Sequence, residues 1–405
     1  MVLLSRRRFL AVAAVTVLDP DGAFPSPARI WPSPLREVTK IERHRILAAA
    51  RAYLNEQPRT ITSEPASRSA GGIHDYFSEG DYWWPDPRNP GGPYIRRDGQ
   101  SNPANFNAHR QLLIRLSIHM PALTAAWVLT GNHSYADRAA AHLRAWFVTP
   151  ATRMNPNLAF AQAIHGIDTG RSIGIIDTLH LVEVAQAALV LERTGAIADD
   201  ILRGTHAWFA EYLQWITTSD RGRQERDEVN NHGSCWLLQT ATFARYTGDN
   251  KASSDCRERL ANKLFPQQIG NDGSFPLELA RTKPYSYSLF NLDVLAMSAH
   301  ILSDEKNNLW KYKLADGRGL ESCFRFYFPY IENKSLWPYR HDVEYFDDLP
   351  VRQPSLLFAG LAYEQTRYLE AWRRLDPDPS VPELIRNHPI RQPLLWITRE
   401  GGSAR

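Results

Sequence analysis

The sequence predicts an all-α architecture, a series of helical hairpins arranged in a ring or solenoid, and three observations carry that expectation. Beyond Asn107, apolar residues recur at helical spacing in one segment after another. Turn signals separate these segments, among them Gly131-Asn132, Gly195, Gly248-Asp249-Asn250 and Asn271-Asp272-Gly273. No sustained run of alternating strand residues and no glycine-rich strand–helix–strand fingerprint interrupts them. Short and long loops alternate, as in helical hairpins. No crisp repeat is present, which argues against a tetratricopeptide-like array.

Taken in order, the chain begins with an export pattern. Ser5-Arg6-Arg7-Arg8-Phe9-Leu10, followed by the mildly apolar Ala11–Leu18, fits a twin-arginine signal over residues 1–22 and implies a periplasmic or secreted protein. Residues 23–36, rich in Pro, Gly and Ser, read as a linker, and 37–405 as one domain. The first helix is expected over Glu37–Leu54. Residues 59–105 are too irregular for helix and too aromatic for a disordered linker. Further helices are expected at His109–Thr130, Tyr135–Phe147, Leu179–Arg193, Asp199–Thr218, His232–Thr247, Ser254–Phe265, Ser288–Leu302, Asn308–Phe328 and Pro354–Arg374. No later stretch reads as long and apolar enough for a membrane span, so no membrane insertion of the mature protein is expected.

Charge narrows the function classes. Arg6, Arg7 and Arg8 account for the whole excess of 47 basic over 44 acidic residues, so the remainder is near neutral and does not suit nucleic-acid binding. An acidic ligand would have to meet a local patch of cations in a cleft. The three cysteines lack paired spacing, which predicts buried thiols in place of a disulfide framework or zinc site; no metal and no cofactor is expected. The oligomeric state has no signature in the sequence.

Several loop motifs could bind a sugar. Trp83-Trp84, within Gly80-Asp81-Tyr82-Trp83-Trp84-Pro85-Asp86-Pro87, reads as a stacking wall with Arg96 or Arg97 beside it, or as a loop pinned over the core. Arg153 and Asn155 sit in a second polar loop. Arg171 suits a carboxylate, with Asp177 either tying it down or capping the next helix. Asn231-His232 opens the helix bearing Trp236; the pair either caps that helix or, with the partial positive charge of its N-terminus, holds an anion. Arg281 can pair bidentately with a uronate carboxylate, while Tyr285 and Tyr287 either pack or face the site. Tyr287, near these cations, is expected to lose or share its proton more easily than a free tyrosine. Arg340 and His341, in the tail Trp337-Pro338-Tyr339-Arg340-His341-Asp342, are further binding candidates.

Together, Trp83-Trp84-Pro85-Asp86-Pro87, Arg153-Met154-Asn155-Pro156-Asn157, Gly174–Thr178, Asn230-Asn231-His232 and Leu279–Leu292 resemble the alginate lyase family of helical-toroid polysaccharide lyases. The resemblance runs over roughly residues 75–300. It implies an (α/α) toroid that cleaves a 4-linked polyuronate, alginate or glucuronan, by β-elimination. In the family an Asn-His pair and an Arg neutralise the uronate carboxylate and a Tyr exchanges protons, which maps here onto Asn231, His232, Arg281 and Tyr287. The chemistry asks for the same types: removing the C5 proton builds an enolate-like dianion that must be neutralised, with Tyr287 as base and then acid and His232 as assistant or alternative base. The competing readings are a glycoside hydrolase using carboxylates among Asp81, Asp86, Asp168 and Glu278, and a sugar-binding protein without catalysis.

Overall fold

The computed structural model describes residues 33–397; the twin-arginine segment lies outside them. Helix α1 (Pro34–Tyr53) starts three residues before the expected Glu37, with a proline in its first turn, where the missing N–H costs nothing. An irregular region follows, holding three short strands: β1 (Phe77–Glu79), β2 (Trp83–Trp84) and β3 (Ile95–Arg96). The helical body comprises α2 (Ala108–Thr130), α3 (His133–Leu143), α4 (Leu181–Arg193), α5 (Asp199–Thr218), α6 (Asp220–Asp227), α7 (Asn231–Thr247), α8 (Asn250–Arg259), α9 (Phe265–Gln268), α10 (Pro276–Leu279), α11 (Pro284–Leu302), α12 (Leu320–Glu332), α13 (Pro354–Ala362), α14 (Thr366–Arg374), α15 (Pro382–Arg386) and α16 (Leu394–Ile397). One strand, β4 (Phe160–Ala163), interrupts it and pairs in parallel with β1, while β2 and β3 form an antiparallel hairpin.

Helices α7 and α11 lie at the centre. Both are buried on nearly every face, as a helix without a polar stripe must be, and they pack on each other. Around them α7 meets α4, α5 and α8, and α11 meets α12 and α13. The last helix returns to the first: α16 packs on α1, α2 and α4. Glu183 of α4, wholly buried, accepts hydrogen bonds from the backbone N–H groups of Arg391 and Gln392 and so fastens this closure. The helices thus form an (α/α) toroid, as the sequence predicts.

Several expectations need correction. Residues 308–319 are not helical; the turn sequence Asp316-Gly317 is followed by α12 only at Leu320, with Gly317 at φ 87°. The helix expected over Pro354–Arg374 breaks at Glu364, whose φ is 55°, into α13 and α14. Residues 172–180 form a 3-10 segment ahead of α4, and α6 went unforeseen because its composition is almost wholly polar. Two stretches, Ala108–Thr130 and Ser172–Arg193, are long and apolar enough to cross a membrane, contrary to the sequence reading, and most of each is buried inside the protein. All three cysteines are buried free thiols.

Candidate active site

The chain brings two helix starts together at one end of the bundle. Asn230 caps α7, its side chain accepting from the His232 N–H at 2.9 Å. Gly233 is required beside it, because a Cβ there would collide with the Glu228 carbonyl oxygen. The cap leaves Asn231 and His232 in the first turn. Opposite, Asp342 accepts from the backbone N–H groups of Tyr285 and Ser286 at 2.8 Å each, so a carboxylate holds the start of α11 and sets Tyr287 in its first turn. These two starts, the β2–β3 hairpin, the 162–180 segment and α15 enclose a cleft of about 250 Å³.

Asn231, His232, Arg281 and Tyr287 all line this cleft. A buried carboxylate stands behind each member of the Asn-His pair. Glu278 accepts from the Asn231 backbone N–H and from Nδ2, both at 2.7 Å. A carboxylate only accepts, so this contact fixes which end of the amide points inward. Glu225 sits 2.8 Å from His232 Nδ1, which makes Nδ1 the protonated nitrogen and leaves Nε2 for the cleft. Burial disfavours the imidazolium, and the Glu225 carboxylate outweighs it, so the His232 pKa is raised. Burial also raises Glu225 and Glu278. His232 is thus tuned toward a cation.

Arg281 donates to Tyr287 Oη at 3.2 Å and to Asp98 at 3.1 Å, with its guanidinium 4.3 Å from the Tyr287 ring centre. Tyr287 Oη also lies 2.8 Å from Tyr82 Oη. Burial foremost, with Tyr82 beside it, lifts the Tyr287 pKa well above 10, and Arg281 only partly opposes this. The expected easy loss of its proton is therefore reversed.

The far wall is an ion network. Arg110 pairs with Asp81 at 2.6 Å and Asp177 at 3.2 Å, and Arg386 pairs with Asp81 at 2.7 Å and Glu383 at 3.2 Å. Burial works against ionised Asp81, yet Arg110 and Arg386 hold its pKa down at about 2. Arg171 lies over Trp83, 5.8 Å from the ring centre, with Nε donating to the Gln162 carbonyl at 2.8 Å.

Comparison with known proteins now bears on the family. The alginate lyase family model matches residues 60–337, most of the chain. The chain belongs to the alginate lyase family. It is accordingly an enzyme, a polysaccharide lyase. An alginate lyase from Bacteroides ovatus is 29% identical, with a TM-score of 0.76 over 90% of this chain and 97% of that one. Alginate lyase A1-III, known from Sphingomonas species A1, shares the fold in a tetrasaccharide complex at 15% identity and a TM-score of 0.53, covering 93% and 99%. No curated protein matches the chain.

Of the lyase residues singled out in the sequence, Trp83, Arg96 and Arg171 join the four above in lining the cleft. Seven others are placed elsewhere. Trp84 turns away, its Nε1 donating to the Gln100 carbonyl and Arg97 covering its ring. Arg153 is exposed and Asn155 ties to Asp75, both bracing the loop around His74. Trp236 lies one turn deeper in α7 than His232, only 5% exposed, and donates to the Ile216 carbonyl. Tyr285 points to the opposite side of α11 from Tyr287, fully buried, and donates to the Tyr330 carbonyl. Arg340 donates to the Ala280 carbonyl and also reaches that of Arg281, and His341 stacks on Phe346, so this tail splints the Arg281 segment from behind. Asp177 does not tie down Arg171: it is taken by Arg110, Tyr76 and Ser78.

Residues that the sequence did not reveal complete the lyase cleft: Tyr82, Gln162, Arg110 and Arg386 on its walls, with Asp98 and Glu225 behind Arg281 and His232. Tyr82 adjoins Trp83 in the same aromatic stretch, a signal that was available. Arg386 lies far beyond the residues matched by the family model and has no local motif.

Proposed function

We propose that this lyase cleaves alginate at D-mannuronate by β-elimination, after export to the periplasm or beyond. The single observation carrying this reading is that Tyr287 Oη is hydrogen-bonded to Arg281 in a cleft also lined by Asn231 and His232. A proton-transfer group thus adjoins a set of donors suited to a carboxylate. The names of the similar solved structures, alginate lyases, support the substrate, and the Ser5–Leu10 pattern supports export.

In the proposed reaction the uronate carboxylate meets Asn231, His232 Nε2–H and Arg281, which together offset the charge that develops as C5 loses its proton. Tyr287, as phenolate, removes that proton. The C5–H electrons form the C4=C5 double bond, the C4–O4 bond breaks, and the Tyr287 phenol returns the proton to O4. In D-mannuronate the C5 proton and O4 leave from one face, so a single tyrosine serves both steps. Trp83 offers a face for a neighbouring sugar ring.

A hydrolase mechanism fits the cleft poorly. Of Asp81, Asp86, Asp168 and Glu278, only Asp81 lines it. Asp81 is clamped between two guanidiniums and stays ionised, so it cannot serve as the general acid.

The test is to mix purified protein with polymannuronate, polyguluronate, glucuronan and pectate and follow near-ultraviolet absorbance of the unsaturated product. Absorbance should rise fastest with polymannuronate. A faster rise with glucuronan would reassign the sugar, and silence with all four polymers would end the lyase reading.

A further inference from the structure

We propose that the hollow between α12 and the α13–α14 joint is a second binding site for an anionic polysaccharide, one that grips a long polyuronate while the cleft cuts it. The substrate class rests on the proposed function; the site itself lies outside the cleft.

The hollow measures about 440 Å³ and is lined by Lys311, Lys313, Arg325 and Arg367, with Tyr363 and Tyr368 between them. It shares no lining residue with the cleft. The two lie at opposite ends of the bundle. Tyr287 is in the first turn of α11, and the loop carrying Lys311 and Lys313 leaves the other end of that helix, about 22 Å along its axis. Helix α12 then runs back, because the Tyr330 carbonyl near its end accepts from Tyr285 at the start of α11, so Glu321 and Arg325 stay at the far end. Tyr363, just after α13, donates to the Trp310 carbonyl in the same far loop.

The cations here are arranged differently from most on the surface. Lys313 pairs with Glu321 at 2.9 Å, which ties the loop to α12. Lys311, Arg325 and Arg367 have no carboxylate at ion-pair distance among the described residues. Elsewhere exposed arginines are neutralised, Arg144 by Asp200 and Arg257 by Asp304 among them. Three unpaired cations around one hollow repel each other and focus a positive field, which a bound anion would relieve. Their framework is fixed. The Arg367 guanidinium is held against the rings of Phe328 and Tyr368, 5.3 and 5.1 Å from their centres. The joint turns sharply at Glu364, φ 55°, and the Gln365 N–H closes it onto the Gly360 carbonyl at 3.0 Å.

The mixture of groups selects the ligand class. The cations suit carboxylates, while Glu364 and Gln365, both exposed on the same hollow, can accept from hydroxyls. Two carboxylates among four cations fit a hydroxyl-rich chain with one charge per sugar and oppose the denser charge of a nucleic acid. A polymer held at one end of the bundle stays at high effective concentration near the cleft at the other, an advantage that a short oligosaccharide does not have.

The experiment compares the full-length wild-type chain with Lys311→Glu/Arg325→Glu, measuring kcat and KM on a long polymannuronate and on a mannuronate tetrasaccharide, too short to occupy both ends. Both side chains are exposed, so the unfolding midpoint should not move. KM for the polymer should rise roughly tenfold or more, with kcat and the tetrasaccharide KM within about twofold of wild type. Added salt should erase most of this difference, because exposed charges are screened. An unchanged polymer KM, or an equal rise with the tetrasaccharide, would overturn the proposal. If the doubly acidic variant does not fold, Lys311→Gln/Arg325→Gln should shift the polymer KM in the same direction by less, and an unmoved KM there would count equally against the site. Gel retardation of polymannuronate, read without turnover, separates the two levels. Polymer bound by wild type, lost in the variant and never cleaved would sink the proposed function alone, whereas cleavage with undiminished retention in the variant would sink only the second site. Retention of DNA in preference to polymannuronate would assign the hollow to nucleic acid and overturn the inference.

Discussion

The two walls of the cleft carry similar numbers of charges and use them differently. On the wall formed by α7 and the start of α11, each polar group is held by one partner from behind and keeps another face toward the cavity. Glu278 holds Asn231, Glu225 holds His232 and Asp98 holds Arg281. On the opposite wall, Arg110 and Arg386 are each divided between two carboxylates. A cation satisfied on one side can still neutralise a ligand; one satisfied on both sides maintains shape. Counting arginines in the sequence does not separate these cases, because the difference lies in where the carboxylates stand.

Substitutions on the two walls should therefore fail in different ways. Arg110→Met should have the largest effect, about 3–5 kcal/mol of stability, since it strips a partner from buried Asp177 and from Asp81. Thermal or urea unfolding would measure this, and an unchanged midpoint would mean the network does not support the wall. Arg281→Ala should leave unfolding nearly unchanged and lower kcat/KM roughly a hundred- to a thousandfold, the usual cost of removing a donor from a developing anion. A loss confined to KM would instead make Arg281 a ground-state contact.

Glu225→Gln should give a smaller, pH-dependent effect. The carboxylate raises the His232 pKa, so the imidazolium, and activity that requires it, is present at low pH and disappears as pH rises through the raised value. Removing Glu225 should bring that decline to lower pH and lower kcat/KM by about severalfold to tenfold on the alkaline side of the profile. An unmoved alkaline limb would mean that His232 does not act as a cation. The smallest effect is expected at Arg153→Ala, which lies outside the cleft: kcat and KM should each stay within about twofold of wild type.

The series of helices was legible because its signal is periodic and local: the Asp199–Thr218 helix has the expected bounds. The convergence of Asn231, His232, Arg281 and Tyr287 was legible through their resemblance to a family pattern. Side-chain direction was not. Trp236 shares a helix face with His232 yet lies one turn deeper, and Tyr285, two residues before Tyr287, points about 200° away around the helix axis. The backing residues were invisible for another reason. Glu225 reaches His232 from a separate, almost entirely polar helix, and Arg386 reaches Asp81 across most of the chain. Neither spacing has a local periodicity to find.

The most direct test compares Tyr287→Phe with wild type on a mannuronate oligosaccharide, measuring binding by calorimetry and turnover by near-ultraviolet absorbance. Affinity should stay within a few-fold while turnover falls about a thousandfold, the scale of a lost acid–base group. Turnover close to wild type would remove Tyr287 from the proton transfer and contradict the proposed mechanism at its centre.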